Sequence, residues 1–444
     1  MTRAEHRELD RDILKLAVPA LGALVAEPLF LLTDTALVGH LGEVPLAALG
    51  IASAIIQTAI GLLIFLAYAT TPAVARRLGA GDRTGAIRAG IDGMWLALGL
   101  GVVVVALGLI GSGAVVGLFT SDPLVAADAT AYLHVSLAGI PAMLLVIAAT
   151  GLLRGLHDTR TPLVVAVCGF AANAGLNAVF IYGFGWGISG SAAGTVVAQW
   201  AMAAVYVVMA VRAARASGAR LRPGLDGVGS AASSGGWLFV RTLSLRAAML
   251  ATVAVAATFG VAELGAFQIA LTLFSTLAFV LDALAIAGQA MIGHGLGAAD
   301  TVRVGLVMRR LVRWGLVSGA ALGAALTVVA PLLGPVFSSS PEVQRALTVT
   351  VWAMAAGIPL AGYVFVLDGV LIGAGDARYL ALTGLVNIGC YAPLLALVLL
   401  LHPPGDAALV WLWAAFGYGY IGARALTLGL RARGTRWVVA GATR

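Results

Sequence analysis

Apolar runs long enough to cross a bilayer follow one another almost without pause along this chain. They fall near 13–39, 46–75, 89–118, 124–153, 162–183 and 187–211, then near 235–260, 264–295, 304–333, 343–373, 379–401 and 407–430. A helix needs about 20 apolar residues to span the hydrocarbon. Lipid also forces each spanning segment to satisfy its own backbone polar groups, which helices do. The twelve runs therefore specify an all-α membrane protein with twelve transmembrane helices. Composition excludes the alternatives: only 11% of the 444 residues are charged and 61% are hydrophobic. A soluble domain carries about 25% charge, and a disordered chain needs low hydrophobicity.

The formal net charge of +7 needs no nucleic acid to explain it, because basic residues collect on the cytoplasmic side of membrane proteins. Arg3, Arg7, Arg11 and Lys15 precede the first run. Arg76, Arg77, Arg83 and Arg88 separate the second from the third, and Arg154 and Arg160 the fourth from the fifth. Arg212, Arg215, Arg220 and Arg222 lie after the sixth, Arg303, Arg309, Arg310 and Arg313 after the eighth, and Arg378 after the tenth. Arg424, Arg431, Arg433, Arg436 and Arg444 close the chain. The opposite loops hold Arg345 with Glu43, Asp122, Asp128, Glu263, Glu342 and Asp406. This alternation predicts both termini on the cytoplasmic side of a bacterial cytoplasmic membrane. The charged first residues and the uninterrupted first run speak against a cleaved leader. Cys168 and Cys390 sit in apolar runs and suggest neither a disulfide framework nor a metal site.

The chain repeats itself. AGIPAMLLVIAATGLLRGLHDTR (138–160) and AGIPLAGYVFVLDGVLIGAGDAR (356–378) agree at ten of 23 positions, at an offset of 218 residues. The same offset brings LGAGD (78–82) onto LGAAD (296–300), and Gly42, Leu46, Ala48 and Ile51 onto Gly260, Leu264, Ala266 and Ile269. Two pseudo-symmetric six-helix bundles are expected, 1–217 and 218–444. Six is even, so both halves enter the membrane from the same side. Transporters built in this way bind substrate near the midplane and alternate access by moving one bundle against the other.

A carboxylate at the centre of a membrane helix costs about 2.5–3.5 kcal/mol on insertion scales. Glu27 and Asp34 in span 1, Asp282 in span 8 and Asp368 in span 10 are therefore candidate functional groups. Arg241 and Arg246 lie early in span 7. Asp92 in span 3 is expected to pair with Arg88 near the cytoplasmic end. Seven residues separate Glu27 from Asp34, which puts them on one helix face roughly 10 Å apart along the axis. Low dielectric favours the protonated form of a carboxylate; alternatively Asp34 could ligate Na⁺ with amide and hydroxyl oxygens. Asn173 and Asn177 share a face of span 5, with Thr195 on span 6 as a neighbour. Tyr132 and His134 lie on span 4. At the repeat offset Asp34 aligns with Thr252 and Asp368 with Thr150, so the halves share a scaffold but not their charges.

The segments EPLFLLTDTALVGHLGEVPLAALG (27–50), LGAGD (78–82), RGLHDTRTP (154–162), NAGLN (173–177) and FVLDGVLIGAGDAR (365–378) resemble the multidrug and toxic compound extrusion family, and within it the DinF-type branch. The resemblance covers nearly the whole chain. It implies a V-shaped pair of bundles that exports amphipathic, often cationic, organic compounds against inward H⁺ or Na⁺, with no other cofactor. It implies a cation-coupling cluster of Asp34, Asn173, Asn177, Thr195 and Tyr132, with Pro19 as a conformational kink. Glu27, Asp282, Asp368 and Arg246 are expected to contact substrate. Several relatives carry an aspartate where this chain has Asn177. Asp34 is then the only acid of the cluster, which favours H⁺ and leaves Na⁺ at Asp34, Asn173, Asn177 and Thr195 as the alternative.

A lipid-linked precursor flippase of the same superfamily is the second transporter reading, weakened because most basic residues lie in loops. An intramembrane enzyme would need a metal or nucleophile constellation, and the sequence offers no HExxH, GxSxG or DDxxD. A uniform channel fits poorly with two bundles of unequal charge. The expected partners are small organic substrates and the bilayer, for a monomer.

Overall fold

The computed structural model describes residues 3–443, with side chains from Glu5. Arg444 and the side chain of Arg3, counted above among the flanking basic residues, lie outside the described residues. The chain forms helices α1 (Arg3–Gly39), α2 (Glu43–Leu63), α3 (Phe65–Gly79), α4 (Arg83–Gly117), α5 (Pro123–Leu137), α6 (Ile140–Gly155), α7 (Arg160–Ala178) and α8 (Gly187–Ser217). There follow α9 (Leu225–Ala256), α10 (Val261–Gly297), α11 (Thr301–Phe337), α12 (Pro341–Gly373), α13 (Ala377–Leu401), α14 (Asp406–Ala414) and α15 (Ile421–Arg433). Two π-helical segments, Val179–Gly183 and Ala415–Tyr420, extend α7 and join α14 to α15.

Among the described residues, ten helical stretches are long and apolar enough to cross a membrane, α2 and α3 counting as one. An eleventh crossing is the pair α5 and α6, bent by 50°. The bend falls where Gly139 precedes Ile140 and Pro141, and a proline lacks the N–H that would continue the preceding turn. The last apolar run is the π-interrupted helix from Asp406 to Arg433. The protein is thus an all-α, multi-pass membrane protein.

Residue contacts divide the chain into two compact units. One holds Val18–Gly235 with Gly441–Thr443, the other the chain up to Ala17 with Gly236–Ala440. The boundary therefore differs from the expected one at 217/218, for two reasons. The polar stretch after α8 is held on the first unit: Trp95 Nε1 donates to the Leu221 carbonyl at 2.9 Å, and the Gly224 N–H donates to Asp92 at 2.9 Å. Asp92, expected to serve Arg88, thus anchors this stretch. The start of α1 in turn belongs to the second unit, where Asp10 meets Arg310 and accepts from Trp314 Nε1 at 2.8 Å.

In the second unit α11 and α12 pack closely through small residues. A Cβ at Gly315 would come within 2.5 Å of the Gly362 carbonyl oxygen; Gly319 and Gly323 continue the same face of α11. Close packing of this kind holds membrane helices together, since lipid is as apolar as the side chains.

The repeat is written into the backbone. Gly42 (φ 126°) and Gly260 (φ 150°), Gly81 (φ 80°) and Ala299 (φ 57°), and His157 (φ 64°) and Gly375 (φ 70°) all have positive φ. Each pair is 218 residues apart. Asp82 and Asp300 cap the following helices alike, accepting from the N–H of Gly85 at 2.7 Å and of Arg303 at 2.9 Å.

Candidate ion-coupling site

Asp34 lies in the second half of α1, two turns after Glu27, in a wall made mostly of apolar and small residues. Its side chain is 4% exposed. Three donors from three other helices converge on it. Ser191 Oγ of α8 donates to Oδ1 at 2.5 Å, Asn177 Nδ2 of α7 to the same oxygen at 2.8 Å, and Tyr132 Oη of α5 to Oδ2 at 3.5 Å. Hydrogen bonds to a charged acceptor contribute about 1.5–3 kcal/mol each, so the cluster ties α1 to α5, α7 and α8.

Asn173, one turn before Asn177, donates to Thr195 Oγ1 at 2.9 Å. The structure therefore brings Asp34, Tyr132 and Asn177 into direct contact, with Asn173 and Thr195 beside them on the same cavity wall. Ser191 carries no signal of its own in the sequence: it sits in GISGSAAGT, which reads as ordinary small-residue packing. His134 faces Ser112 at 2.7 Å and stays outside the cluster. Pro19 lies inside α1, just past the point where that helix passes from one unit to the other.

A small cavity of about 80 Å³ opens beside Asp34, lined also by Glu27, Phe30, Tyr132, Asn173 and Thr195. Its other walls are apolar residues such as Ile56, Met143 and Met202, and Phe30 stacks on Phe170 with ring centroids 5.2 Å apart. An apolar cavity with a few convergent polar groups is the common form of a small-molecule site.

The second unit has its own buried polar cluster. Asp368 on α12 is 6% exposed and meets two guanidinium groups, Arg241 of α9 and Arg424 of α15, the latter at 3.3 Å. Arg246, the other arginine early in span 7, is exposed on α9. One expectation is corrected here. Arg424, counted among the flanking basic residues, is 8% exposed inside the bundle. It looked like a flank because it lies near the end of the last apolar run. Thr252, at the repeat position of Asp34, hydrogen-bonds Tyr391 Oη at 2.7 Å. Asp282 is half-buried on α10.

Comparison with known proteins places these features in a family. The sequence model of the family described as MatE matches residues 19–179 and 238–397, one stretch in each half. The chain is 29% identical over 448 residues to the probable multidrug resistance protein NorM of Bradyrhizobium diazoefficiens, covering 95% of this chain and 93% of that one. It is 29% identical over 480 residues to Protein DETOXIFICATION 43 of Arabidopsis thaliana, covering 94% and 89%. Among solved structures, the bent form of the Vibrio cholerae MATE transporter VcmN matches with a TM-score of 0.88 at 20% identity, over 97% of this chain and 98% of that one. That last likeness is one of fold.

Proposed function

The chain belongs to the MATE family of multidrug and toxic compound extrusion transporters, and on that premise we propose that it is a proton-coupled antiporter. It exports amphipathic, often cationic, organic compounds across a bacterial cytoplasmic membrane, with both termini inside. The relatives named for multidrug resistance support the substrate class, and the apolar cavity beside Asp34 suits it.

The observation that carries the choice of H⁺ is the chemistry of the groups facing Asp34. Ser191, Asn177 and Tyr132 all present donors to the carboxylate. Asn177 turns its amide oxygen toward the backbone of Gly194 instead. A Na⁺ site needs oxygen lone pairs aimed at the ion, as hard cations take oxygen ligands. Donors aimed at a lone carboxylate are what a proton can undo. Protonation removes the charge that strengthens these bonds, loosens α1 from α5, α7 and α8, and lets the helix rearrange about Pro19. Substrate bound in the cavity loses its anionic counter-group in the same step. Proton and substrate thus compete by favouring different states of one protein.

Everted membrane vesicles test this reading. A pH gradient, acid inside, should drive uptake of the lipophilic cation rhodamine 6G, and Asp34→Asn should abolish it. A Na⁺ gradient alone should drive none. Undiminished pH-driven uptake in Asp34→Asn, or uptake driven by Na⁺ alone, would overturn it.

A further inference from the structure

Glu27 lines a second cavity as well as the one beside Asp34. This second space, of about 130 Å³, is bounded by Ala23, Leu24, Thr150, Arg154 and Tyr206 among others. The two cavities share Glu27, Met143, Phe170 and Met202. Glu27 is the one acid common to both, and its side chain is accessible. The other titratable side chains facing these spaces are Asp34 and Tyr132 in the first and Arg154 and Tyr206 in the second. Gln57 and Gln199 add neutral polar groups to the first cavity. Thr150 Oγ1 donates to Tyr206 Oη at 3.4 Å on the wall of the second.

The second cavity lies toward the N-terminal end of α1 and the C-terminal end of α6, where Arg154 sits in the last turn. That is the side on which the basic flanking residues gather. Asp34 and Glu27 are roughly 10 Å apart along the helix, too far for direct transfer and close enough for a short chain of water.

We propose that Glu27 is a proton-relay residue: it carries the coupling proton from Asp34 to the cavity bounded by Arg154, and so to the cytoplasmic side. Protonated Asp34 gives its proton to water in the first cavity and becomes a carboxylate. The Glu27 carboxylate takes up a proton from that water, then releases it to water in the second cavity. One proton moves and no other bond changes. The role expected for Glu27, substrate contact, gives way to this one because its side chain opens to both spaces. The proposal rests on the proton-coupled reading above, and its test separates the two.

Purified wild type, Asp34→Asn, Glu27→Gln and Glu27→Asp are compared for binding of rhodamine 6G, and everted vesicles for its uptake under a pH gradient. Glu27→Gln should bind the dye within about twofold of wild type, yet lose about tenfold or more in driven uptake. Glu27→Asp, which keeps the carboxyl, should recover a substantial part of the uptake. Retained binding shows that the variant is folded. Driven uptake in Glu27→Gln close to wild type would overturn the relay. So would loss of dye affinity in Glu27→Gln, which would return the residue to the substrate site. Retained uptake in Asp34→Asn would instead overturn the proton-coupled reading itself.

Discussion

Arg424 lies 3.3 Å from Asp368. At the repeat offset of 218 residues, this pair occupies the positions of Tyr206 and Thr150, whose hydroxyl groups are 3.4 Å apart. One geometry therefore serves a neutral contact in the first bundle and an ion pair in the second. Removing one partner of a buried ion pair costs about 3–5 kcal/mol. Asp368→Asn should accordingly lower the melting temperature of the detergent-purified protein markedly. Arg424→Met should cost less, because Arg241 still serves Asp368. The triple change Asp368→Thr, Arg424→Tyr and Arg241→Ala (the counterpart of Arg241 is Ala23) installs the first bundle's neutral site and should recover part of the loss; a melt no better than that of Asp368→Asn would show that the two sites are not interchangeable.

Ser191 makes the shortest of the Asp34 contacts. Ser191→Ala deletes a hydroxyl that donates to Asp34 and also accepts, at 3.5 Å, from Asn177 Nδ2, which keeps its own bond to Asp34. Losing a hydrogen bond to a charged group costs about 1.5–3 kcal/mol. By destabilising the carboxylate, the change should favour protonated Asp34. The pH dependence of driven uptake should then move toward higher pH, while an unchanged profile would deny Ser191 a role in coupling.

Asn177→Asp would place a second carboxylate where an amide now donates to Asp34. Two carboxylates in contact share one proton or recruit a cation. Dye transport by this variant should become sensitive to Na⁺ at neutral pH, measured as uptake driven by a Na⁺ gradient. Wild-type behaviour would show that a second charge alone does not create a cation site.

Asp10 ties the start of α1 to α11 through Arg310 and Trp314. Its side chain is 22% exposed, so the tie should contribute only about 1 kcal/mol or less. Asp10→Ala should leave the melting temperature nearly unchanged but speed tryptic cleavage after Arg7 and Arg11. Equal cleavage rates would show that apolar contacts such as the fully buried Ile13 suffice to hold the segment.

The sequence revealed Asp34, Asn173 and Asn177 because polar groups stand out in apolar runs and cost energy there. It concealed Ser191, since a serine among glycines and alanines looks the same whether it packs or binds. Arg424 was hidden by position: near the end of a span, an arginine in the bundle interior and one at the membrane surface have the same sequence context. The polar stretch 218–224 carries no mark in the sequence of where it packs, whereas Asp92 and Trp95 hold it to the first unit. Membrane spans and repeats are written in composition and spacing; partners depend on which helix faces meet, which no single helix encodes.

Ala299 retains a left-handed backbone that its counterpart Gly81 adopts without strain. For a residue with a side chain that conformation costs about 1–2 kcal/mol. Ala299→Gly should therefore stabilise the protein by up to about 1 kcal/mol, seen as a higher melting temperature. The same three corners in each half also mark where the two copies can be spliced. A chimera crossing between halves at 42/260, 81/299 or 157/375 joins chain ends that share a positive φ. A crossing between Asp368 and Arg424 would strand one partner of a charge pair beside a neutral one. Exchange of segments at these corners is thus the practical way to learn which half chooses the ion and which the cargo.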